Sequence, residues 1–503
     1  MTAPRLLLII WMMLAWLAGL AQPQVGAMQT PVAEPPVAQR YELDATFDPG
    51  VSEIRGELRL TWTNTTGESQ RELPFRLYPN ADYYNEGGIE LGEITVDGAP
   101  SRAELDAADP TVMRLPVSET ASGNQRRVTI TFVTTVPIDT TGSFGIFRGN
   151  SADDSWSLVN WYPIVAGWES GEGWYLDPPK GLGDPTFVTA SSWSVSITHP
   201  DHYTLIGTGD ERTIEGDGTA MTTFDLEIGR EFAMVALPVD RVVTTTATID
   251  DLSLEITLPQ ADAVPGMAEA LDSFAREAVP LYGEWFDLPA EGALDITVAD
   301  MDGALGVSWS GAIWLDLAQL TEDGQLDDVE RMSLRFVVHH ELGHQWMANV
   351  IGTNSNDHTF LTEGLVNVLA VAVVRELEGR DAAGFVFNGW VAGPYRAFVN
   401  GGQDAVADSP VGELSPTVHS FVTYGKGGIG FEAIRQEIGD DAFFGALAYL
   451  GDTHTWGIVT PADVLAAFER ASGADLDGLW TAWFETSSTS LAEVDAVIAG
   501  AGQ

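Results

Sequence analysis

Hydrophobic and polar residues alternate along the first half of the chain. Residues 54–62, 127–132 and 193–197 show this two-residue period, and clusters of Gly, Asn, Asp and Pro separate such segments. A two-residue period is typical of β-strands that bury one face. We therefore predict an N-terminal all-β domain over residues 41–260, folded as a saddle or sandwich of antiparallel strands.

The hydrophobic pattern changes after residue 263, where the 3.6-residue period of helices dominates. Asp327 and Glu330 predict a capping box at the start of one helix, and Gly439 predicts the end of another. The predicted helices span residues 327–349, 362–376 and 417–437, a fourth begins at residue 460, and two short strands span residues 294–298 and 312–315. We therefore predict a second, mainly α domain of the α+β type over residues 261–503.

The N-terminus has the features of a signal peptide. Arg5 gives it a positive start, residues 6–20 are apolar, and small residues that suit a signal peptidase follow. The apolar run is shorter than the ~20 residues that a transmembrane helix needs. We predict a signal peptide over residues 1–27, a flexible linker over residues 28–40, and a secreted or cell-envelope protein that is not inserted in the membrane after cleavage. An uncleaved leader that anchors the chain is the alternative.

The composition limits the partners and the metal ligands. The 24 Lys and Arg residues are outnumbered by 73 Asp and Glu, which gives a formal net charge of −49. Such a surface repels nucleic acids and anionic membranes, so we expect no nucleic-acid partner. The chain has no Cys, and a transition metal would therefore be bound by His, Asp or Glu. The sequence does not predict an oligomeric state.

The predicted helix over residues 327–349 contains two histidines one turn apart. His340 and His344 lie on one helix face, where both imidazoles can bind one tetrahedral Zn²⁺. Glu341 lies beside them and can take a proton from a zinc-bound water molecule. Glu363 follows His344 after 18 residues, at the start of the next predicted helix, and can be the third ligand. We predict one zinc ion per chain, bound by His340, His344 and Glu363.

These motifs resemble those of the M1 family of zinc metallopeptidases, the gluzincin aminopeptidases. The resemblance rests on the sequence HELGHQW at residues 340–346, on Glu363-Gly364, and on the segments at residues 160–163 and 183–187. It covers residues 41–485 and is to the bacterial secreted type that lacks the C-terminal helical domain of many members. The resemblance implies a β-saddle domain followed by a thermolysin-like catalytic domain, and a peptide or protein as the substrate.

The resemblance also implies a catalytic tyrosine. Family members carry it in a Tyr-x-Lys-Gly context, which matches Tyr424 and the Lys426-Gly427 that follows. Its phenol would donate a hydrogen bond to the oxyanion that forms when water attacks the peptide carbonyl. Three nearby polar residues are expected to have supporting roles: His339, His419 and, as the group that orients the carboxylate ligand, Asn367.

One segment departs from the family pattern. Aminopeptidases of the family carry Gly-x-Met-Glu-Asn before the zinc helix, and its Glu binds the free α-amine of the substrate. The corresponding segment here spans residues 306–311, with Trp309 in place of the acid. A buried ammonium needs a carboxylate partner, for which Glu169 and Glu172 are candidates.

We therefore predict a secreted zinc metallopeptidase of the aminopeptidase type. The alternatives are an endopeptidase of the same fold and a secreted, non-catalytic binding or scaffold protein with a vestigial site.

Overall fold

The computed structural model of the protein describes residues 37–182, 185–260, 265–317 and 326–502. The predicted signal peptide and most of the predicted linker therefore lie outside the described residues. None of the described helices is both long and apolar enough to cross a membrane.

Before residue 239, the residues that the structure describes form 18 strands. They are β1 (Gln39–Asp48), β2 (Glu53–Thr63), β3 (Gln70–Arg76), β4 (Gly88–Val96), β5 (Ala99–Ser101), β6 (Glu104–Leu105), β7 (Val112–Thr120), β8 (Gln125–Thr135), β9 (Phe147–Asn150), β10 (Ser155–Val159), β11 (Ile164–Val165), β12 (Trp168–Glu169), β13 (Gly173–Trp174), β14 (Ser191–Pro200), β15 (Tyr203–Gly207), β16 (Asp210–Glu215), β17 (Thr219–Gly229) and β18 (Ala233–Pro238). They form an eight-stranded sheet in the order β16-β17-β14-β1-β2-β8-β4-β5, two four-stranded sheets (β15-β18-β10-β9 and β11-β3-β7-β6) and the pair β12-β13.

The eight-stranded sheet shows how the alternating pattern specifies one buried face. Along β1, the side chains of Tyr41, Leu43, Ala45 and Phe47 are buried, and the residues between them are exposed. Strand β1 pairs antiparallel with β2 and parallel with β14. The predicted all-β region is thus confirmed, although β1 and β14 are parallel rather than antiparallel.

A fifth sheet belongs to both parts of the chain. Its strands are β19 (Val242–Ile249), β20 (Leu252–Pro259), β21 (Gly292–Val298), β22 (Gly306–Trp309) and β23 (Ala312–Leu315), in the order β19-β20-β21-β23-β22. Strands β20, β21 and β23 are parallel neighbours, and β19 and β22 pair antiparallel at the two edges. The two short strands predicted from the sequence are β21 and β23. Since β19 and β20 precede residue 260, the sheet crosses the predicted domain boundary.

The C-terminal part is mainly helical. Its described α-helices are α1 (Met267–Phe286), α2 (Asp328–Gly343), α3 (Thr359–Glu378), α4 (Arg380–Val386), α5 (Gly393–Asn400), α6 (Pro416–His419), α7 (Gly427–Ile438), α8 (Asp440–His454), α9 (Pro461–Ser472), α10 (Asp477–Trp480) and α11 (Leu491–Ala501). Three π-helical segments span Phe387–Ala392, Ser420–Lys426 and Thr481–Glu485. The predicted order of an all-β part followed by a mainly α part is confirmed.

Apolar side chains join the two parts of the chain. The helices share one hydrophobic core with the fifth sheet, and strands of the N-terminal part share another. A third, smaller cluster brings Val159 and Ile206 of β10 and β15 together with Trp309 and Trp314 of β22 and β23. We call this third cluster the seam cluster.

Helices α3 and α7 cross with their backbones in contact. A Cβ atom on Gly364 would lie 2.7 Å from the carbonyl carbon of Gly427, a distance that real side chains do not reach. Glycine at both positions therefore allows the close crossing. Glu363 directly precedes one glycine, and the π-helical segment Ser420–Lys426 directly precedes the other, so the crossing brings the two predicted site elements together.

Candidate metal centre

Helix α2 begins where the sequence predicts. Asp327 Oδ1 accepts hydrogen bonds from the backbone N–H groups of Val329 at 2.8 Å and of Glu330 at 2.9 Å. In return, Glu330 Oε2 accepts a hydrogen bond from the backbone N–H of Asp327 at 2.8 Å. These reciprocal bonds confirm the predicted capping box, which satisfies N–H groups that the helix itself cannot pair.

The predicted end of this helix at Asn349 is wrong. The helix ends at Gly343, and residues 344–351 fold into a compact turn in which Ala348 has a φ of 113°. The Asn349 backbone N–H and side-chain Nδ2 both donate to the carbonyl oxygen of His344, at 3.1 Å and 3.0 Å. A positive φ is unusual for alanine, and the hydrophobic pattern contains no signal for it.

The three predicted metal ligands converge on one point. His340 Nε2 lies 3.1 Å from His344 Nε2 and 3.1 Å from Glu363 Oε2, and His344 Nε2 lies 3.5 Å from the same carboxylate oxygen. Both histidines are buried, and helix α3 begins at Thr359, so that Glu363 lies in its second turn. The helix pair α2–α3 thus brings together groups that the sequence predicts as ligands.

Hydrogen bonds at the far side of each imidazole define which nitrogen carries the proton. His340 Nδ1 lies 2.9 Å from Asn367 Oδ1, and His344 Nδ1 lies 3.1 Å from the carbonyl oxygen of Met347. Both partners are acceptors, so each Nδ1 donates, and each neutral ring keeps a lone pair on Nε2. The two lone pairs therefore point into the same small space.

This donor set fits a tetrahedral metal ion. Two imidazole nitrogens and one carboxylate oxygen form the His₂Glu ligand set of catalytic zinc sites, which leaves a fourth position open. Bonds of ~2.0 Å at tetrahedral angles place neighbouring ligand atoms about 3.3 Å apart. The separations of 3.1 Å to 3.5 Å match that spacing. His340, His344 and Glu363 thus fit zinc as they stand.

The carboxylate of Glu363 also changes the protonation equilibria of the centre. Burial opposes a charge on His344, but the carboxylate of Glu363 outweighs burial and raises the pKa of His344 to about 9. Burial also disfavours the charged form of Glu363, yet His344 and His340 lower the pKa of Glu363 well below its ordinary value. The carboxylate is therefore ionised and available as a ligand at neutral pH.

Glu341 lies next to the first ligand and is buried beneath strand β22. A Cβ atom on Gly306 would lie 2.6 Å from Glu341 Oε1, so only glycine leaves room for this carboxylate. Glu341 Oε2 has no hydrogen-bond partner among the described residues. Burial raises the pKa of Glu341, while His340 and His344 act in the opposite direction. An unpaired buried carboxylate oxygen beside a metal centre suits a general base.

Asn367 has a different role from the predicted one. Its position one turn after Glu363 predicts that it orients Glu363, whereas its Oδ1 accepts a hydrogen bond from His340 and its Nδ2 donates one to the carbonyl oxygen of Tyr424 at 3.1 Å. One amide side chain therefore connects a metal ligand to the segment that carries the predicted catalytic tyrosine.

Tyr424 lies within a π-helical segment rather than a regular helix. The single helix predicted over residues 417–437 is divided into α6, the π-helical segment Ser420–Lys426 and α7, and Gly439 caps its end as predicted. The ring centroid of Tyr424 lies 6.1 Å from that of His340. Burial raises the pKa of Tyr424 well above its ordinary value, and the carboxylates of Glu363 and Glu341 add to the rise. The phenol is therefore a neutral hydrogen-bond donor at physiological pH.

Three further polar residues lie near the centre, and two of them have polar partners that hold them in place. His339 Nε2 lies 3.2 Å from Glu277 Oε2 of helix α1. The buried Lys426 donates to Asp404 Oδ1 at 3.0 Å. His419 differs, because its Nε2 has no hydrogen-bond partner in the described part of the chain, and its ring lies 6.4 Å from that of Tyr424. The sequence offered no signal that would distinguish His419 from His339.

Trp309 does not face the metal centre. Its side chain is fully buried in the seam cluster, where its ring centroid lies 4.2 Å from that of Trp314. Of the two alternative acids, Glu169 accepts a hydrogen bond from Asn354 Nδ2 at 3.3 Å, just before helix α3, and Glu172 is exposed in the turn between β12 and β13. The strand that would carry an amine-binding acid thus contributes a packing residue instead.

Residues 308–483 match the model of the Peptidase family M1 domain. Among curated proteins, the chain is 24% identical to Aminopeptidase N of Lactococcus lactis subsp. lactis over 225 residues. The matched region is 43% of this chain and 26% of that protein. It is 25% identical over 247 residues to Aminopeptidase N of Lactobacillus helveticus, which is 48% of this chain and 29% of that protein. The match thus spans less than a third of the length of these relatives.

Solved structures resemble nearly the whole chain. The M1 zinc metallopeptidase of Deinococcus radiodurans, in a mutant form, matches with a TM-score of 0.64 at 16% identity, over 90% of this chain and 95% of that one. The same mutant was also solved with the substrate Tyr-Ser-Ala. Aminopeptidase A of Legionella pneumophila, in complex with aspartic acid, matches with a TM-score of 0.66 at 16% identity, over 90% of this chain and 50% of that one. At these identities the likeness shows a shared fold.

The comparisons confirm the resemblance that the motifs indicated. The domain match and the aminopeptidase N relatives show similarity to M1 peptidases, and the structural neighbours show the same fold. The predicted fold class, an all-β part followed by a helical part, is confirmed with it.

Metal binding should compete with protonation of His344. A metal binds neutral imidazole, and the carboxylate of Glu363 raises the pKa of His344 to about 9 against the opposing effect of burial. Zn²⁺ binding near pH 7 should therefore release about one proton, and the apparent affinity should rise roughly tenfold per pH unit up to about pH 9. Calorimetry in buffers of different ionisation enthalpy measures the number released. A pH-independent affinity between pH 6 and 8 would contradict this account.

Proposed function

We propose that the chain is a secreted zinc-dependent peptidase of the M1 aminopeptidase type. The observation that carries the proposal is the convergence of His340 Nε2, His344 Nε2 and Glu363 Oε2 within 3.5 Å of one another. The buried, unpaired carboxylate oxygen of Glu341 beside these ligands adds a proton acceptor. A vestigial site would not be expected to keep the ligands, the acceptor and the tyrosine together.

The mechanism follows from the positions of two side chains. Zinc, when bound by the three ligands, would make water more acidic and would polarise the peptide carbonyl. Glu341 takes one proton from the attacking water, whose oxygen bonds to the carbonyl carbon, and delivers that proton to the amine nitrogen as the C–N bond breaks. Tyr424 donates a hydrogen bond to the oxyanion, since its raised pKa keeps the phenol protonated.

The substitution Glu341→Gln tests the assignment of the base. Glutamine has the same shape but cannot accept a proton, so kcat should fall by about 10²- to 10⁴-fold while zinc binding persists. Peptide digests read by mass spectrometry measure the activity, and elemental analysis measures the zinc. Glu376→Gln, at an exposed position of helix α3, makes the same charge change away from the centre and should leave both unchanged. Full activity in Glu341→Gln would exclude the mechanism.

Specificity for the peptide N-terminus forms a separate part of the proposal. The tripeptide bound by the Deinococcus radiodurans neighbour has a free α-amine, which favours an aminopeptidase. The burial of Trp309 in the seam cluster favours the second candidate, an endopeptidase, because no carboxylate is available at that position to bind an ammonium.

A pair of substrates distinguishes the two candidates. We expect Tyr-Ser-Ala to lose its first residue, and N-acetyl-Tyr-Ser-Ala to remain intact, because acetylation removes the ammonium that an aminopeptidase binds. Mass spectrometry of the products, with and without a chelator, gives the cleavage site and the metal dependence. Equal cleavage of both peptides, or internal cleavage of longer acetylated peptides, would establish the endopeptidase.

Export is proposed from the N-terminal sequence. Arg5 and the apolar residues 6–20 support a leader, and the net charge of −49 suits an external medium. N-terminal sequencing of protein from the culture medium should find a start near residue 22 or 28. An intact N-terminus on protein confined to the cell interior would contradict export.

A further inference from the structure

Arg230 joins the N-terminal part to the metal centre. It directly follows strand β17, and its side chain is buried. Its guanidinium donates to five backbone carbonyl oxygens: those of Val188 (3.3 Å), Ala348 (2.9 Å), Asn349 (2.6 Å), Val350 (3.2 Å) and Gly457 (2.7 Å). Burial lowers the pKa of Arg230 to about 10, so the group stays charged at neutral pH. A buried cation with this many carbonyl acceptors holds their backbone firmly.

Three of these carbonyls belong to the turn that follows His344. Ala348 has a φ of 113°, in the left-handed region that favours glycine over alanine. This turn therefore needs support from outside itself. Met347 directly precedes Ala348, and its carbonyl oxygen is the acceptor for His344 Nδ1 at 3.1 Å. The arginine thus fixes the peptide groups next to the one that orients a metal ligand.

A second connection runs through Ser310. The backbone N–H of Arg230 donates to Ser310 Oγ at 3.1 Å, and Ser310 Oγ donates to Asn349 Oδ1 at 3.2 Å. The fit around the arginine is tight, because a Cβ atom on Gly352 would lie 2.2 Å from Arg230 Cζ. The side chain and the backbone N–H of Arg230 therefore both hold the turn over residues 344–351, the N–H through Ser310.

We propose that Arg230 is a positioning residue for the metal centre. It holds the turn over residues 344–351 so that the Met347 carbonyl keeps His344 Nε2 directed at the other ligands. The inference rests on the proposed function, since it assumes that His344 binds zinc. It makes the N-terminal part a determinant of metal affinity as well as of stability.

The test compares zinc affinity in the full-length protein with the variants Arg230→Met, Arg230→Lys and Arg148→Met. Arg148 is a matched control: it is buried, belongs to β9, and also reaches the C-terminal part, where it contacts Asp300. Groups that orient metal ligands contribute about 10- to 100-fold to affinity. We expect that loss in Arg230→Met by competition with a chelating dye, a smaller loss in Arg230→Lys, and less than about a twofold change in Arg148→Met.

A spectroscopic measurement separates positioning from general loosening. Co²⁺ bound in place of Zn²⁺ should show altered d–d absorption in Arg230→Met and unaltered absorption in Arg148→Met. Wild-type affinity and spectrum in a folded Arg230→Met protein would overturn the role of Arg230. If Arg230→Met does not fold, Arg230→Lys is compared with the wild type instead. Wild-type zinc affinity in Arg230→Lys would then overturn the role of Arg230. Wild-type protein that binds no Zn²⁺ would instead overturn the proposed function itself.

Discussion

Two imidazole lone pairs that face each other at 3.1 Å repel unless a cation or a proton lies between them. The geometry of the metal centre reflects this constraint. His340 and His344 are held in the repulsive arrangement by acceptors on their opposite sides, Asn367 and the Met347 carbonyl. The carboxylate of Glu363 favours a positive charge at the centre, and the low pKa of that carboxylate is the counterpart of the raised pKa of His344.

The close crossing of helices α3 and α7 places the other residues of the centre beside the two histidines. Glu363 and Tyr424 lie on different helical elements, and Gly364 and Gly427 let those elements touch. At this short separation, the side-chain amide of Asn367 hydrogen-bonds both to His340 and to the carbonyl oxygen of Tyr424. The ligand helix, the carboxylate helix and the tyrosine segment are therefore held by direct contacts rather than by long intervening side chains.

The sequence predicts the features that depend on neighbouring residues. The alternation in β1, the capping box at Asp327 and the ligand spacing of His340, His344 and Glu363 are local patterns, and the structure has each of them. The early end of helix α2 was not predictable, because the turn after His344 is held by an arginine 118 residues earlier in the chain.

Long-range contacts also explain the other differences. Asn367 is one helical turn from Glu363, which made Glu363 the expected partner, but its bonds go to residues of α2 and of the π-helical segment. The division of the helix around Tyr424 into α and π segments has no signal in the hydrophobic period. The seam cluster likewise joins strands that lie far apart in sequence. The presence of Trp309 where the family pattern has an acid did not by itself predict that the tryptophan is buried there.

The fifth sheet has a consequence for how such proteins can diversify. The change in hydrophobic pattern near residue 263 suggests a domain boundary at which recombination could exchange a β domain and a helical domain between genes. Strands β19 and β20 lie before that position, yet β20 pairs with β21 and both strands contribute side chains to the hydrophobic core of the helices. Recombination at that boundary would separate β20 from β21, its parallel neighbour in the sheet. Successful exchange would have to occur before Val242, inside what the sequence presents as one continuous β region.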